Sequence, residues 1–193
     1  HKIKLLQPET NLVRTVCGST QGFLDGVGAE SQFSFPHSIA VSSQGEFAFV
    51  SDFQNQAIRK ILLRTYEVST LLKLGLVASA TSRENNTSNS SSSGEEDRNF
   101  FHPVGIAVSP RGDFLLVSGL GPASDSKTRQ NHQIQRINVS SLEVTPVNPQ
   151  SPVQVESPFS PFGLAISLDG QHMYSSDAEG CILVKTSLST GES

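Results

Sequence analysis

Two histidines are the residues of this sequence whose type and spacing come nearest to a metal site. His37 and His102 each lie beside a proline at the start of an apolar, alternating segment. Zinc needs three or four converging nitrogen, sulfur or oxygen ligands. No third ligand recurs at the same place, and His37 follows Pro36 whereas His102 precedes Pro103. We therefore expect histidines at the surface or at the edge of a central channel, with no metal, no cofactor and no catalytic residue.

Short polar side chains after several apolar segments could serve as acids, bases or ligands. A carboxylate or amide at such a place more commonly hydrogen-bonds nearby backbone groups and fixes a turn. The residues interpreted in this way are Asp25, Asp52, Asn55, Asn131 and Asp177. The glycines around Asp25 are not followed by Gly-Lys-Ser or Gly-Lys-Thr, so a phosphate-binding loop is not indicated.

Four Asn-x-Ser/Thr sequences are candidate acceptors of N-linked glycans. They begin at Asn85, Asn86, Asn89 and Asn138. The first three lie in NNTSNSSSSGEED, a stretch without any apolar residue that is predicted to remain a solvated loop. In a secreted protein these asparagines would carry glycans. They are the main reason to predict an extracellular or cell-surface protein.

Composition sets limits on the class of protein. The chain has 193 residues, a formal net charge of −4 and a pI of about 5.7, which argues against a nucleic-acid partner. No apolar run approaches the roughly 20 residues that span a membrane. The basic residues of predicted third strands, interpreted as solvated, are Lys4, Arg59, Lys60 and Arg136. Cys17 and Cys181 are expected to be buried thiols, with a disulfide left open as the alternative.

The elements that position these residues recur along the chain. Three segments align: FPHSIAVS from Phe35, FHPVGIAVS from Phe101 and FSPFGLAIS from Phe159. A turn glycine follows each, at positions 45, 112 and 170. The alternation and turns of the first full unit predict strands over 38–42, 46–51, 57–62 and 68–72. The next two units are predicted to begin with inner strands over 104–109 and 163–167.

The core is predicted on the same alternation. Apolar residues two apart on the inner strands should point into the protein. The residues expected to be largely buried are Ile39, Val41, Ile106, Val108, Leu164 and Ile166.

One segment resembles the NHL-repeat family of β-propellers. The family pattern has a G-x-x-D-G-x-G lead, an aromatic residue, a proline, an apolar strand, a glycine turn and then D-x-x-N-x-x-I-R. The positions that match it are Gly22, Asp25, Gly26, Gly28, Phe33, Pro36, Ile39, Val41, Gly45, Asp52, Asn55, Ile58 and Arg59. Later units are degenerate: the second has Gly119 where Asp52 stands, although Asn131 and Ile134 remain.

The resemblance implies an all-β fold, a partial β-propeller of four-stranded antiparallel blades. The expected parts are a partial blade over 1–17, a blade over 18–76, an insertion over 77–99, a blade over 100–150 and a partial blade over 151–193. Residues 119–131 lengthen a turn inside the second complete blade. Blades bury their faces only against neighbours, so an open arc is expected to be part of a longer polypeptide or to be completed by other subunits.

NHL propellers serve several functions, and the fold alone does not choose among them. Without a catalytic constellation, we predict a non-catalytic protein-binding or structural module of a larger extracellular glycoprotein, with a filament or coat component as one version. One alternative is a metal-dependent propeller enzyme whose ligands lie outside this segment. Another is an RNA-binding NHL module, which would bind RNA in a salt-dependent way.

Overall fold

The structure, a computed structural model, describes residues 1–74, 102–120, 132–147, 161–177 and 180–188. These residues form an all-β fold with two short 3-10 turns, and no α-helix occurs among them. The strands are β1 (Ile3–Gln7), β2 (Leu12–Cys17), β3 (Gly26–Val27), β4 (Pro36–Val41), β5 (Phe47–Asp52), β6 (Ala57–Leu62), β7 (Glu67–Lys73), β8 (His102–Val108), β9 (Phe114–Leu120), β10 (His132–Asn138), β11 (Val144–Val147), β12 (Pro161–Ile166), β13 (His172–Asp177) and β14 (Leu183–Ser187).

The strands form four antiparallel sheets whose order largely follows the chain. The first sheet is β1–β2, and the second is β4–β5–β6–β7 with the short β3 added beside β7. The third sheet is β8–β9–β10–β11 and the fourth is β12–β13–β14. The predicted strands are confirmed to within about two residues at each end. Within the described residues the sheets do not close into a ring.

Backbone conformation repeats from sheet to sheet at the turns. Gly45, Gly112 and Gly170 have φ of 68°, 74° and 73°, and the N–H of each donates to the carbonyl of a serine three residues earlier. Glycine adopts this left-handed conformation without a steric cost. The turn after each third strand also has a left-handed residue, at Asn11, Tyr66 and Leu142. The units are therefore superimposable position by position.

The sheets pack face to face in chain order, and the core lies between them. Phe49 and Ile58 of the second sheet join Ile106, Leu115 and Val117 of the third in one buried cluster. The opposite face of the second sheet packs on the first, and the opposite face of the third packs on the fourth. A strand whose two faces are both covered reads as apolar on both sides, which explains FAFV in β5 and FLLV in β9.

The prediction that every inner strand is buried is wrong for β4. Ile106 is 4% exposed, and Val108, Leu164 and Ile166 pack against buried clusters. Ile39 and Val41, at the same places in β4, are 48% and 50% exposed. The first sheet has only two strands, and they pack on buried residues of β5, β6 and β7 while leaving this face of β4 bare.

No helix among the described residues is long and apolar enough to cross a membrane.

Candidate functional site

The most elaborate polar arrangement in the described structure surrounds Arg59 of β6. The side chain is fully buried, so its prediction as a solvated strand residue is wrong. Its Nη1 donates to the Asp52 carboxylate and the Gln32 carbonyl, at 2.9 Å each. Its Nη2 donates to Asp25 at 2.6 Å and to the Leu24 carbonyl at 2.9 Å. The alternation of the sequence did not predict this burial, because Arg59 occupies an ordinary position of strand β6.

Two aromatic rings and two carboxylates surround the guanidinium group of Arg59. The rings of Phe23 and Phe33 lie 4.8 and 5.0 Å from its central carbon. Burial raises the pKa of Asp52, and bonds from Asn55, Ser34 and Arg59 offset that only in part. Partial burial also raises the pKa of Asp25, but bonds from Thr70 and Arg59 outweigh it and hold that pKa below its ordinary value.

The segment that contains Gly22, Leu24, Asp25 and Gln32 is here called the lead loop. The network holds this loop against the second sheet. Asn55 donates from Nδ2 to the Gly22 carbonyl and to Asp52, and Asp52 accepts a bond of 2.7 Å from the Ser34 amide. All acceptors of Arg59 belong to the protein itself, and its flat faces are covered by rings. The arrangement therefore holds the segment with Leu24, Asp25 and Gln32 against the second sheet.

Asp177, a further predicted turn residue, also lies at a strand end. Asp177 ends β13 and accepts a bond of 3.1 Å from the Gly180 amide. Asn131 lies outside the described residues.

The histidines meet phenylalanines where the inner strands begin. His37 lies 5.3 Å from the ring of Phe162 and 6.1 Å from that of Phe53, between centroids. The His102 ring lies 4.9 Å from Phe53, and its Nδ1 is 3.1 Å from the Phe53 carbonyl oxygen. No group of three or more metal-binding side chains converges anywhere in the described ranges. The two histidines thus lie on an aromatic surface.

Of the four glycan candidates, one lies in the described structure. Asn138 is exposed at the end of β10, and its Oδ1 accepts bonds of 2.9 Å from the amides of Ser140 and Ser141. Nδ2, the atom that would carry a glycan, takes no part in those bonds. Asn85, Asn86 and Asn89 lie outside the described residues, as does the predicted insertion over 77–99.

The two cysteines differ in environment, and neither forms a disulfide. Cys17 is buried as predicted, and burial raises the pKa of its thiol to about 11. Cys181 is exposed, so its predicted burial is wrong. It occupies a left-handed turn, with φ of 52°, just before the edge strand β14.

A repeated serine on the second strands β5 and β9 joins neighbouring sheets, a feature that the sequence reasoning missed. Ser51 of β5 donates to the Val104 carbonyl of the third sheet at 2.8 Å. Ser118 of β9, at the same place in its unit, donates to the Phe162 carbonyl of the fourth sheet at 2.9 Å. A serine at the same place in all three units, the third being Ser176, was the signal that could have revealed this pattern.

The candidate site is a slot beside the second sheet, on the face of β4 that no neighbouring sheet covers among the described residues. One wall is the bare face of β4, with Ile39 and Val41 half-exposed and the carbonyl of His37 at its start. Beside it, Ile3 of β1 packs against the cluster that includes Val50 of β5, and β1 pairs with β2 alone among the described strands, so its second edge is free. We call this place, defined by Ile39, Val41, the His37 carbonyl and the free edge of β1, the open slot.

The open slot combines an unpaired strand edge with an apolar sheet face. Unpaired strand edges and apolar sheet faces associate with added β-strands. The fold and this site define an all-β repeat protein with an incomplete sheet beside a bare sheet face.

No protein-family model matches the chain, and no curated protein matches it. Among solved structures, it is similar to hydrazine synthase from Kuenenia stuttgartiensis, with a TM-score of 0.46 and 17% sequence identity. The similarity covers 86% of this chain and 39% of that chain, so this chain spans well under half of that length. A likeness of this size says nothing about what the present chain does.

Proposed function

We propose that the chain is a non-catalytic protein-binding or structural module of a larger extracellular or cell-surface glycoprotein. The observation that carries the proposal is the open slot, where Ile39 and Val41 are 48% and 50% exposed beside a free strand edge. In the third and fourth sheets the residues at the same places, Ile106, Val108, Leu164 and Ile166, are buried or packed against a buried cluster. A polypeptide that covers Ile39 and Val41 would remove apolar area from water and gain about 25 cal/mol per Å².

The architecture that we propose is an arc of an NHL-type β-propeller. The second and third sheets are its complete blades, and the first and fourth sheets are partial ones. This assignment is supported by the face-to-face stacking of the sheets and by the Arg59 network, which joins the lead-motif Asp25 to Asp52 and Asn55. The resemblance to NHL repeats thus acquires a physical reason, since the motif residues hold one another.

Photo-crosslinking from the slot tests the binding function. A photo-reactive amino acid at Val41 should form covalent adducts with another polypeptide when the protein is in its native surroundings. The matched control is the same amino acid at Arg64, an exposed position on the turn after β6. Equal labelling from both positions, or none from either, would contradict a binding role for the slot.

The proposed glycoprotein character has its own test. N-glycans would be carried by Asn86 or Asn89, with Asn85 excluded when Asn86 is occupied, and by the exposed Asn138. The intact mass of native material should fall on glycosidase treatment, and Asn138→Gln should lose one glycan of that mass. Unmodified asparagine at all four positions would remove the support for an extracellular location.

A further inference from the structure

A groove between the second and third sheets combines apolar side chains with cations. It lies where β4 turns into β5 and β8 turns into β9, and its volume is about 160 Å³. Phe47, Phe49 and Val139 form an apolar floor of buried or half-buried side chains, and Lys60 and Arg111 are its cations. Both sheets have all four strands of the repeat unit, so the groove belongs to an interior interface. We call it the basic groove.

Lys60 is held over an aromatic ring and not by a carboxylate. Its Nζ lies 3.8 Å from the centroid of the Phe47 ring. The face of such a ring attracts a cation, but it carries no net charge that would neutralise one. Among the described residues neither Lys60 nor Arg111 forms an ion pair. The charges of both side chains are therefore available to a ligand.

A bond between two turns fixes the position of Arg111. The Ser43 hydroxyl donates to the Pro110 carbonyl at 2.7 Å, and so joins the turn after β4 to the turn after β8. Arg111 follows Pro110 directly, and its side chain is exposed. The backbone of Arg111 is thus held at the groove, while its guanidinium group remains accessible from solvent.

One carboxylate lines the basic groove as well. Glu46 is exposed and, like the two cations, forms no ion pair in the described ranges. Two cations against one carboxylate leave the groove with a net positive charge, in a chain whose net charge is −4. A local positive potential of this kind favours an anionic ligand.

Size and lining decide which anion fits. The volume of about 160 Å³ is well below the roughly 300–1,000 Å³ of sites for whole small molecules, so the groove suits a single side chain. A glutamate side chain has methylene groups that can cover the apolar floor and a carboxylate that can meet both cations. A sulfate group would meet the cations but would leave the apolar floor uncovered.

The next groove, between the third and fourth sheets, differs in charge. It repeats the pairing of a cation with a ring, since the central carbon of Arg136 lies 4.0 Å from the centroid of the Phe114 ring. Asp113 and Asp169 also line that groove, however, and balance the charges of Arg111 and Arg136. The net charge that favours an anion is therefore confined to the basic groove.

We propose that the basic groove binds a glutamate side chain from an acidic segment of a partner polypeptide. The carboxylate accepts hydrogen bonds from Lys60 and Arg111, and the methylene groups contact Phe47 and Val139. This inference goes beyond the proposed function, because none of the residues that define the open slot lines the basic groove.

Fluorescence anisotropy with a labelled peptide of alternating glutamate and serine tests the inference. The peptide should bind to the wild-type protein, and the same peptide with glutamine in place of glutamate should not. Lys60→Gln and Arg111→Gln should each weaken binding by about two- to fivefold, as expected for partly exposed charge pairs. Arg64→Gln is the matched control: Arg64 is exposed on the turn after β6, outside the groove, so this variant removes the same charge and should bind as the wild type does.

A peptide of alternating aspartate and serine tests the apolar floor separately from the charge. Aspartate carries the same charge as glutamate but has one methylene group fewer. The aspartate peptide should therefore bind about fourfold more weakly than the glutamate peptide. Equal binding would show that charge alone attracts the peptide, and the assignment of a glutamate to the groove would be wrong.

The other outcomes decide as well. A glutamate peptide that does not bind, or that binds Arg64→Gln as weakly as Lys60→Gln, overturns the inference. Heparin, a sulfated polysaccharide, should bind more weakly than the glutamate peptide; if it binds more tightly and depends on Lys60, the occupant is a sulfated sugar and the inference is wrong. Thermal unfolding checks that the variants keep the stability of the wild type. Crosslinking from Val41 reports on the open slot alone, so the two proposals can fail separately.

Discussion

A buried arginine shared by two carboxylates is the dominant single-residue feature of this protein. Arg59 is fully buried, and Asp52 beside it is buried too, whereas the side chain of Asp25 is 51% exposed. An isolated buried charge is costly, so each member depends on the others. Because Asp25 reaches the network from the lead loop, its charge determines how firmly that loop is held.

The pKa of Asp25 gives a prediction with a definite sign. Its partial burial is outweighed by bonds from Thr70 and Arg59, so its pKa is lowered in the folded state. A lowered carboxyl pKa stabilises the fold above the ordinary value of about 4, and this contribution is lost as the pH falls through the lowered value. Asp25→Asn should therefore cost about 1 kcal/mol at pH 7, a modest figure because the group is half-exposed.

Urea unfolding of both proteins between pH 2 and pH 7 measures that cost. The difference in unfolding free energy should shrink below about pH 4 and vanish once Asp25 is protonated in the folded wild type. Asp52 is present in both proteins, so its opposite shift largely cancels. A difference that stays constant over this range would show that the charge of Asp25 contributes nothing.

The cysteines should react at very different rates. Burial raises the pKa of Cys17 to about 11, so only about one part in a thousand is thiolate at pH 8, while Cys181 is exposed. Native protein should bind one equivalent of a thiol reagent quickly, and unfolded protein two. Cys181→Ser should remove the fast reaction; rapid labelling that persists in that variant would place Cys17 at the surface.

At the scale of strands, Gly105 of β8 and Gly163 of β12 hold the same place in the repeat but differ in how closely a neighbouring sheet approaches them. Gly105→Ala should destabilise the fold by about 1–3 kcal/mol, because the new methyl group meets the Phe162 carbonyl at 2.1 Å. Gly163→Ala should cost less than about 1 kcal/mol, since only the Ser176 hydroxyl is near. Thermal unfolding of the two variants gives the comparison, and equal losses would mean that both places are equally enclosed.

Strand positions could be predicted from the sequence, because alternation with period two and turn glycines are local signals. Gly45, Gly112 and Gly170 marked the hairpins, and the structure gives them left-handed φ. The buried environment of Arg59 could not be predicted, because three of its acceptors, in Leu24, Asp25 and Gln32, are remote in sequence. The exposure of β4 could not be predicted either. Alternation shows which side of a strand is apolar, but it does not show whether a neighbouring sheet covers that side.

At the scale of the whole molecule, stability arises between sheets rather than within them. Each buried cluster combines residues of neighbouring sheets, and the second and third sheets have a buried cluster on each face, with β4 left bare on one face of the second. In such arrays stability is close to a sum of unit and nearest-neighbour contributions. The effect of a substitution should then depend on the interface in which the residue lies and not on its place in the repeat.

Ile106 and Ile39 test this directly, because they hold the same place in β8 and β4. Ile106 is 4% exposed within a cluster that joins two sheets, and Ile39 is 48% exposed on the open slot. Ile106→Ala should lower the unfolding free energy by about 2–5 kcal/mol, as expected for a cavity between packed sheets. Ile39→Ala should cost less than about 1 kcal/mol in the monomer. Urea unfolding at low protein concentration compares them without association. If both substitutions cost the same, a neighbour covers β4 within the monomer itself, and the slot does not exist.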